Sequence, residues 1–123
     1  MGFCTVVNCM DGRVQEKVIA WLKERFGVEY VDSVTEPGPN GILAAGVDEA
    51  AIAAIMRRVG ISVEKHGSVG IAVVGHHDCA GNPGPEEQQR EQTRRAVAVL
   101  RGKFPDVPVI GLWVGQEWEV EEN

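Results

Sequence analysis

Three side chains able to ligate a soft or borderline metal stand at two places in this sequence. Cys9 opens the stretch CMDGR, and His76 and Cys79 lie in GHHDCAG. Thiolate and imidazole together suit zinc. Three protein ligands leave a fourth tetrahedral position open, the arrangement of a catalytic rather than a structural zinc site. Two other readings compete. In one, Cys9 is a small buried hydrophobe on an apolar strand, because cysteine is among the most buried residue types. In the other, Cys9 is a metal-free nucleophile and His76 its base. Asp11 and Arg13 follow Cys9 closely. A carboxylate and a guanidinium so placed form a charge-assisted pair beside the metal, or else an incidental ion pair on a surface turn.

His76 lies 67 residues after Cys9, so the fold must bring the two segments together. Phe3–Cys9 (FCTVVNC) is apolar and β-branched and reads as a buried strand. Val14, Val18, Trp21, Leu22 and Phe26 recur at helical spacing, with Gly27 as the stop. Val28–Val34 alternates as a second strand, and Thr35–Gly41 (TEPGPNG) reads as a loop. A second helix runs from the N-cap Asp48 to about Lys65. SVGIAVVG is the third strand. Pro85, Glu86 and Glu87 open a helix that continues to Arg101, with basic residues late as its dipole favours. VPVIGLWVG is a fourth strand, and the alternating tail EWEVEE is a candidate edge strand.

Strands alternating with helices predict an α/β fold. With right-handed crossovers, the expected architecture is one domain, residues 1–123, with a mostly parallel sheet of four to five strands flanked by helices. The expected order is 2-1-3-4, with an antiparallel edge strand from the tail. Ligands bind such sheets at the carboxyl ends of the strands flanking the switch in strand order. Those ends carry Cys9 and HHDC.

The 12 basic and 18 acidic residues give a net charge of −6, which weighs against nucleic acid and anionic membrane surfaces. No apolar run approaches the ~20 residues of a membrane-spanning helix. The first residues lack the pattern of a signal peptide, so a cytoplasmic location is expected. Three cysteines, an odd and low count, point to thiols or metal ligands rather than a disulfide framework.

C-x-D-x-R at the end of a first strand, followed by G-H-x-x-C-(A/G)-G at the end of a later one, resembles the β-class carbonic anhydrases. The match is carried by Cys9, Asp11 and Arg13, then by Gly75, His76, Cys79 and Gly81. The spacing of the two motifs and the closing PVIGLWVGQEWEVEE are similar to the family as well, so the resemblance covers most of the chain. It implies one zinc ion per chain, held by Cys9, His76 and Cys79. It implies reversible hydration of carbon dioxide to bicarbonate by a zinc-bound hydroxide. Asp11 would accept a hydrogen bond from that hydroxide, or swing onto the metal as its fourth ligand, and Arg13 would hold Asp11. The active cleft would lie between subunits of a homodimer or higher homo-oligomer. Two thiolates cancel the charge of the zinc, so activity is expected to rise with pH above neutrality.

The chain departs from the family where a helical arm usually precedes the first motif and a longer helical segment follows the second. Thr35 and Glu36 stand where the family tends to have Arg and Asn, before a matching Gly38. These departures keep open a non-catalytic zinc protein of the same fold, or a hydrolase of a similar linear molecule such as carbonyl sulfide or carbon disulfide. Of the remaining candidates, His77 is either a proton shuttle or a loop histidine. Glu36 either borders the cleft or is solvated. Cys4 and Trp113 are expected in the core, Trp118 in the core or on a partner surface, and His66 at a helix end without a role.

Overall fold

Residues Phe3–Cys9 form β1, and every one from Cys4 onward is buried. The structure, a computed structural model, describes residues 2–123. A 3-10 turn at Gly12–Val14 leads into α1 (Glu16–Phe26), then β2 (Tyr30–Glu36), α2 (Pro39–Ala45) and α3 (Glu49–His66). They are followed by β3 (Ile71–His76), α4 (Glu86–Lys103), β4 (Val109–Val114) and β5 (Val120–Glu122). The strands form one sheet in the order β2-β1-β3-β4-β5. It is parallel through β4, and β5 pairs antiparallel to β4. This is the expected α/β architecture, and the alternating tail is the antiparallel edge.

The central strands are mostly apolar because helices cover both faces, with Thr5 and Asn8 of β1 and His76 at the end of β3 as their buried polar residues. On one face, Val14, Val18 and Leu22 pack on Cys4, Val6, Ala72, Val74 and Leu112. On the other, Leu43, Ile55, Val59, Ala96 and Leu100 pack on Val7, Ile71, Val73 and Val109. Each fully buried aliphatic side chain contributes roughly 1.5–3 kcal/mol. Cys4 and Trp113 lie in this interior, as expected, and burial with nearby Asp32 pushes the Cys4 thiol up to about 11. Among the described residues no helix is long and apolar enough to cross a membrane.

Local signals set the helix ends. α1 stops at Gly27, whose φ of 66° lets its N–H reach the Lys23 carbonyl. The Asp48 carboxylate accepts the Ala51 N–H at 3.1 Å and starts α3. At the far end of α3, His66 bonds the Asp32 carboxylate at 2.6 Å.

The stretch expected to be a loop is mostly regular. Thr35 and Glu36 extend β2 opposite Asn8 and Cys9, and Pro39 opens the short helix α2. Pairing with β1 supplies ladder hydrogen bonds that no local pattern announces, and proline at a first helical position is preorganised for helix. Glu36 therefore belongs to a strand. Its carboxylate is tied to the Arg58 guanidinium of α3.

β1 and β3 are neighbours, and the chain passes to opposite sides of the sheet after each. Their carboxyl ends, Cys9 and His76, flank the switch in strand order.

Candidate metal centre

The structure brings Cys9, His76 and Cys79 together. One ligand atom from each lies within 4.8 Å of the others, and all three residues are buried. The sulfurs of Cys9 and Cys79 are 3.9 Å apart. A disulfide would hold them at about 2.05 Å, and both are free thiols. Tetrahedral zinc with bonds of about 2.3 Å would hold two sulfurs roughly 3.8 Å apart, close to what is seen.

His76 fixes the third position. Its Nδ1 lies 2.7 Å from the His77 carbonyl oxygen. A carbonyl only accepts, so Nδ1 carries the proton and Nε2 presents a lone pair. Nε2 is buried and has no hydrogen-bond partner among the described residues. Leaving such an atom unsatisfied costs about 1–3 kcal/mol. The Cys9 thiol is near enough to interact electrostatically with the ring, yet no bond of proper geometry ties it to Nε2. Donor types, spacing and this bare nitrogen all fit a zinc ion.

Backbone amides converge on the same sulfurs. Burial pushes the Cys9 thiol up, but the His76 imidazole and the N–H groups of Asp11 and Gly38 outweigh it and bring it to about 7. Burial and the adjacent Cys9 raise Cys79, against the pull of the Asn82 and Gly81 amides. Burial lowers His76, but Cys9 and the His77 carbonyl more than reverse this.

Asp11 and Arg13 do form the expected pair. Arg13 Nε donates to Asp11 Oδ1 at 3.0 Å and its Nη2 to Oδ2 at 2.7 Å. The Arg13 backbone N–H adds a bond to Oδ1 at 2.9 Å, so Asp11 also caps the 3-10 turn. The side-chain bonds from Arg13, helped by its backbone N–H and its charge, outweigh burial and hold the Asp11 carboxyl at about 2, below its ordinary 3.8.

A carboxylate whose folded value is depressed adds stability above its unfolded value and loses it as pH falls through the folded one. The pair should therefore stabilise fully above about pH 5 and progressively less toward pH 2. The difference in urea midpoint between the protein and Asp11→Asn is expected to be large near pH 6 and to shrink by about pH 2.5. A gap that does not change with pH would show that the ionised pair adds nothing.

The family described as "Putative carbonic anhydrase" matches residues 1–122. The chain belongs to this carbonic anhydrase family. Solved structures of β-carbonic anhydrases share its fold at low identity. Isoform I from Trichomonas vaginalis matches with a TM-score of 0.59 and 16% identity, over 97% of this chain and 80% of that one. A tetrameric β-carbonic anhydrase from Sordaria macrospora gives 0.57 and 14%, over 96% and 79%. CafA of Aspergillus fumigatus gives 0.54 and 16%, over 97% and 74%. No curated protein sequence matches the chain.

This member of the carbonic anhydrase family holds its site with residues that sequence reasoning passed over. Gln15 Nε2 donates to the carbonyls of Cys9 at 2.7 Å and Asp11 at 2.9 Å, pinning the first motif to the start of α1. Beneath the second motif, Asn40 of α2 donates to Gln89 Oε1 at 2.8 Å, and Asn82 donates to Gln92 Oε1 at 2.7 Å. Gln89 in turn donates to the Asn82 carbonyl. Buried amides without partners are costly, so a polar stripe on α4 facing a buried Asn40 is the signal that could have revealed this network. His77 contributes through its backbone: its carbonyl sets the His76 tautomer, and its N–H bonds the Val114 carbonyl at 2.9 Å.

Proposed function

We propose that this protein is a zinc enzyme that reversibly hydrates carbon dioxide to bicarbonate. Cys9, His76 and Cys79 hold one zinc ion per chain, and Asp11 and Arg13 serve the reacting side. The observation that carries the reading is the buried, unpartnered Nε2 of His76 beside two thiols 3.9 Å apart, in a chain of the carbonic anhydrase family. When bound, zinc supplies Lewis acidity that lets a water at its open position ionise near neutral pH.

The protein's own part follows from its donors and acceptors. Cys9 and Cys79 bring two negative charges, which backbone amides partly offset. Asp11, held ionised by Arg13, accepts hydrogen bonds and donates none at neutral pH. Its Oδ1 already receives the Arg13 backbone N–H and Nε. Oδ2 receives Nη2 and only a longer contact from Nε at 3.3 Å. Oδ2 therefore has the acceptor capacity left to orient an incoming proton donor. The rival reading, with Cys9 as a free nucleophile, uses Cys9 and His76 but gives Cys79 and the Asp11–Arg13 pair nothing to do.

A homodimer or higher homo-oligomer in the cytoplasm belongs to the same reading. The Sordaria macrospora relatives are tetrameric. Met10, between Cys9 and Asp11, is 64% exposed, an apolar side chain that a second subunit would cover. Three unpaired cysteines suit a reducing compartment.

Purified protein is expected to carry one zinc per chain and to scatter light as more than one chain. It should hydrate carbon dioxide faster at about pH 8.5 than at about pH 7. Asp11→Ala should keep the zinc and lose roughly a hundredfold in kcat. Zinc without hydration at either pH would replace this reading with a non-catalytic zinc protein, or with an enzyme for another linear molecule. No zinc and a readily alkylated Cys9 would favour the nucleophile.

A further inference from the structure

Among the described residues, two that are not glycine adopt a left-handed backbone: Asp78, with φ of 57°, and Trp118, with φ of 60°. For a tryptophan this conformation is uncommon and strained, and it persists only where the surroundings over-determine it. Both residues touch Arg13. Arg13 Nη1 donates to Asp78 Oδ2 at 3.2 Å, and its Nη2 to the Asp78 carbonyl at 3.1 Å. The Trp118 indole covers the guanidinium, with 4.4 Å from the ring centre to the guanidinium carbon.

Three separate segments thus meet on one side chain. Arg13 comes from the first motif, Asp78 from the second, and Trp118 from the turn joining β4 to β5. That turn is closed by the Trp118 N–H on the Gly115 carbonyl at 2.9 Å. With its bonds to Asp11, Arg13 uses four of its five N–H donors, and the indole covers one face. Its side chain is still 45% exposed. An exposed arginine held by one carboxylate alone retains much rotamer freedom, and a carboxylate that moves with it is poorly aimed. Stacking on an aromatic face and a planar, multiply bonded fork remove that freedom.

We propose that Trp118 and Asp78 are positioning residues that hold Arg13 in the rotamer that aims Asp11. The inference rests on the reading of Asp11 as the acceptor on the reacting side. It makes the β4–β5 turn part of the active site although it supplies no metal ligand.

The test uses the purified, ¹⁵N-labelled protein and reads the Arg13 Nε–Hε cross-peak alongside zinc content and carbon dioxide hydration. In the unaltered protein the peak should be displaced by the indole ring current and slow to exchange with water. Trp118→Leu should return it toward the free-arginine position and lower kcat about tenfold, with zinc content and KM unchanged. Trp118→Phe should keep part of the displacement and stay within about threefold in kcat. Asp78→Asn, an independent route should Trp118→Leu fold poorly, should speed exchange at Nε and lower kcat in the same sense. An Arg13 peak unmoved in both variants overturns the proposal, as does an unchanged kcat once the peak has moved. If the unaltered protein shows no hydration, the functional reading fails by itself. The cross-peak then still decides whether Trp118 and Asp78 hold Arg13.

Discussion

Cys79→Ser is expected to lose zinc and carbon dioxide hydration together, the latter by more than about 10³-fold. A serine hydroxyl keeps the volume but stays protonated near neutral pH and is a poor zinc ligand beside thiolate. The remaining donors, Cys9 and His76, make two ligands where catalytic zinc has three. Cys79 is buried with its sulfur 3.9 Å from that of Cys9, so its loss removes one of the two thiolates from the cluster. Metal binding to the folded state is also folding free energy. A chelator should therefore lower the Tm of the unaltered protein and leave that of Cys79→Ser where it is. Cys4→Ser is the control. Cys4 is fully buried in β1 but apart from the cluster, so its loss should lower Tm and leave zinc at one per chain. A Cys79→Ser protein that retained one zinc and its activity after dialysis would rule out the Cys9–His76–Cys79 site.

What the sequence made legible follows a physical division. Strands buried on both faces leave continuous apolar runs, so β1 and β3 and their polar ends at Cys9 and His76 could be read directly. Capping is local, so Asp48 and Gly27 marked helix ends correctly. Right-handed crossovers then left few strand orders, and the one expected is the one found. What stayed hidden depends on contacts between distant segments. β2 runs on to Glu36 because β1 pairs with it as far as Cys9, and α2 is a helix of seven residues with a glycine inside it. Propensity alone would not favour that helix. Packing of Leu43 against Ile55 and Val59 stabilises it instead. Glu36 showed no sign of Arg58, nor Asn40 of Gln89, because partners so far apart leave no periodicity. Trp118 was undecided between core and surface because its indole does both: it packs against the core and roofs Arg13.

The other large effect is expected from Gly38→Ala, which should lower Tm by roughly 10 °C and zinc affinity about 10- to 100-fold. Gly38 joins β2 to α2 with φ of 64° and ψ of 56°, a left-handed conformation that costs an alanine about 1 kcal/mol. A Cβ there would also collide with Asn82 Cβ and sit 3.1 Å from the Asn82 nitrogen. Overpacking of this kind costs typically 1–3 kcal/mol, and relief here requires backbone to move. The backbones in question matter to the site: the Gly38 N–H faces Cys9, and those of Gly81 and Asn82 face Cys79. A methyl group between them would push apart the two loops that hold the sulfurs 3.9 Å from each other. Two other glycines separate the causes. Gly27 has φ of 66° but no neighbouring atom within 4 Å of where a methyl group would stand. Gly27→Ala therefore carries the conformational cost alone and should leave zinc affinity unchanged. At Gly81 a Cβ would lie 2.5 Å from Pro37 Cβ and 2.7 Å from the Pro37 carbonyl carbon, so Gly81→Ala should weaken zinc as Gly38→Ala does. Differential calorimetry with zinc titration decides it. If all three variants bind zinc alike, the contact between the two loops stabilises the fold without setting the sulfur positions. If only Gly38→Ala and Gly81→Ala lose affinity, the packing of the β2–α2 turn on the second motif is what holds the thiols in place for the metal.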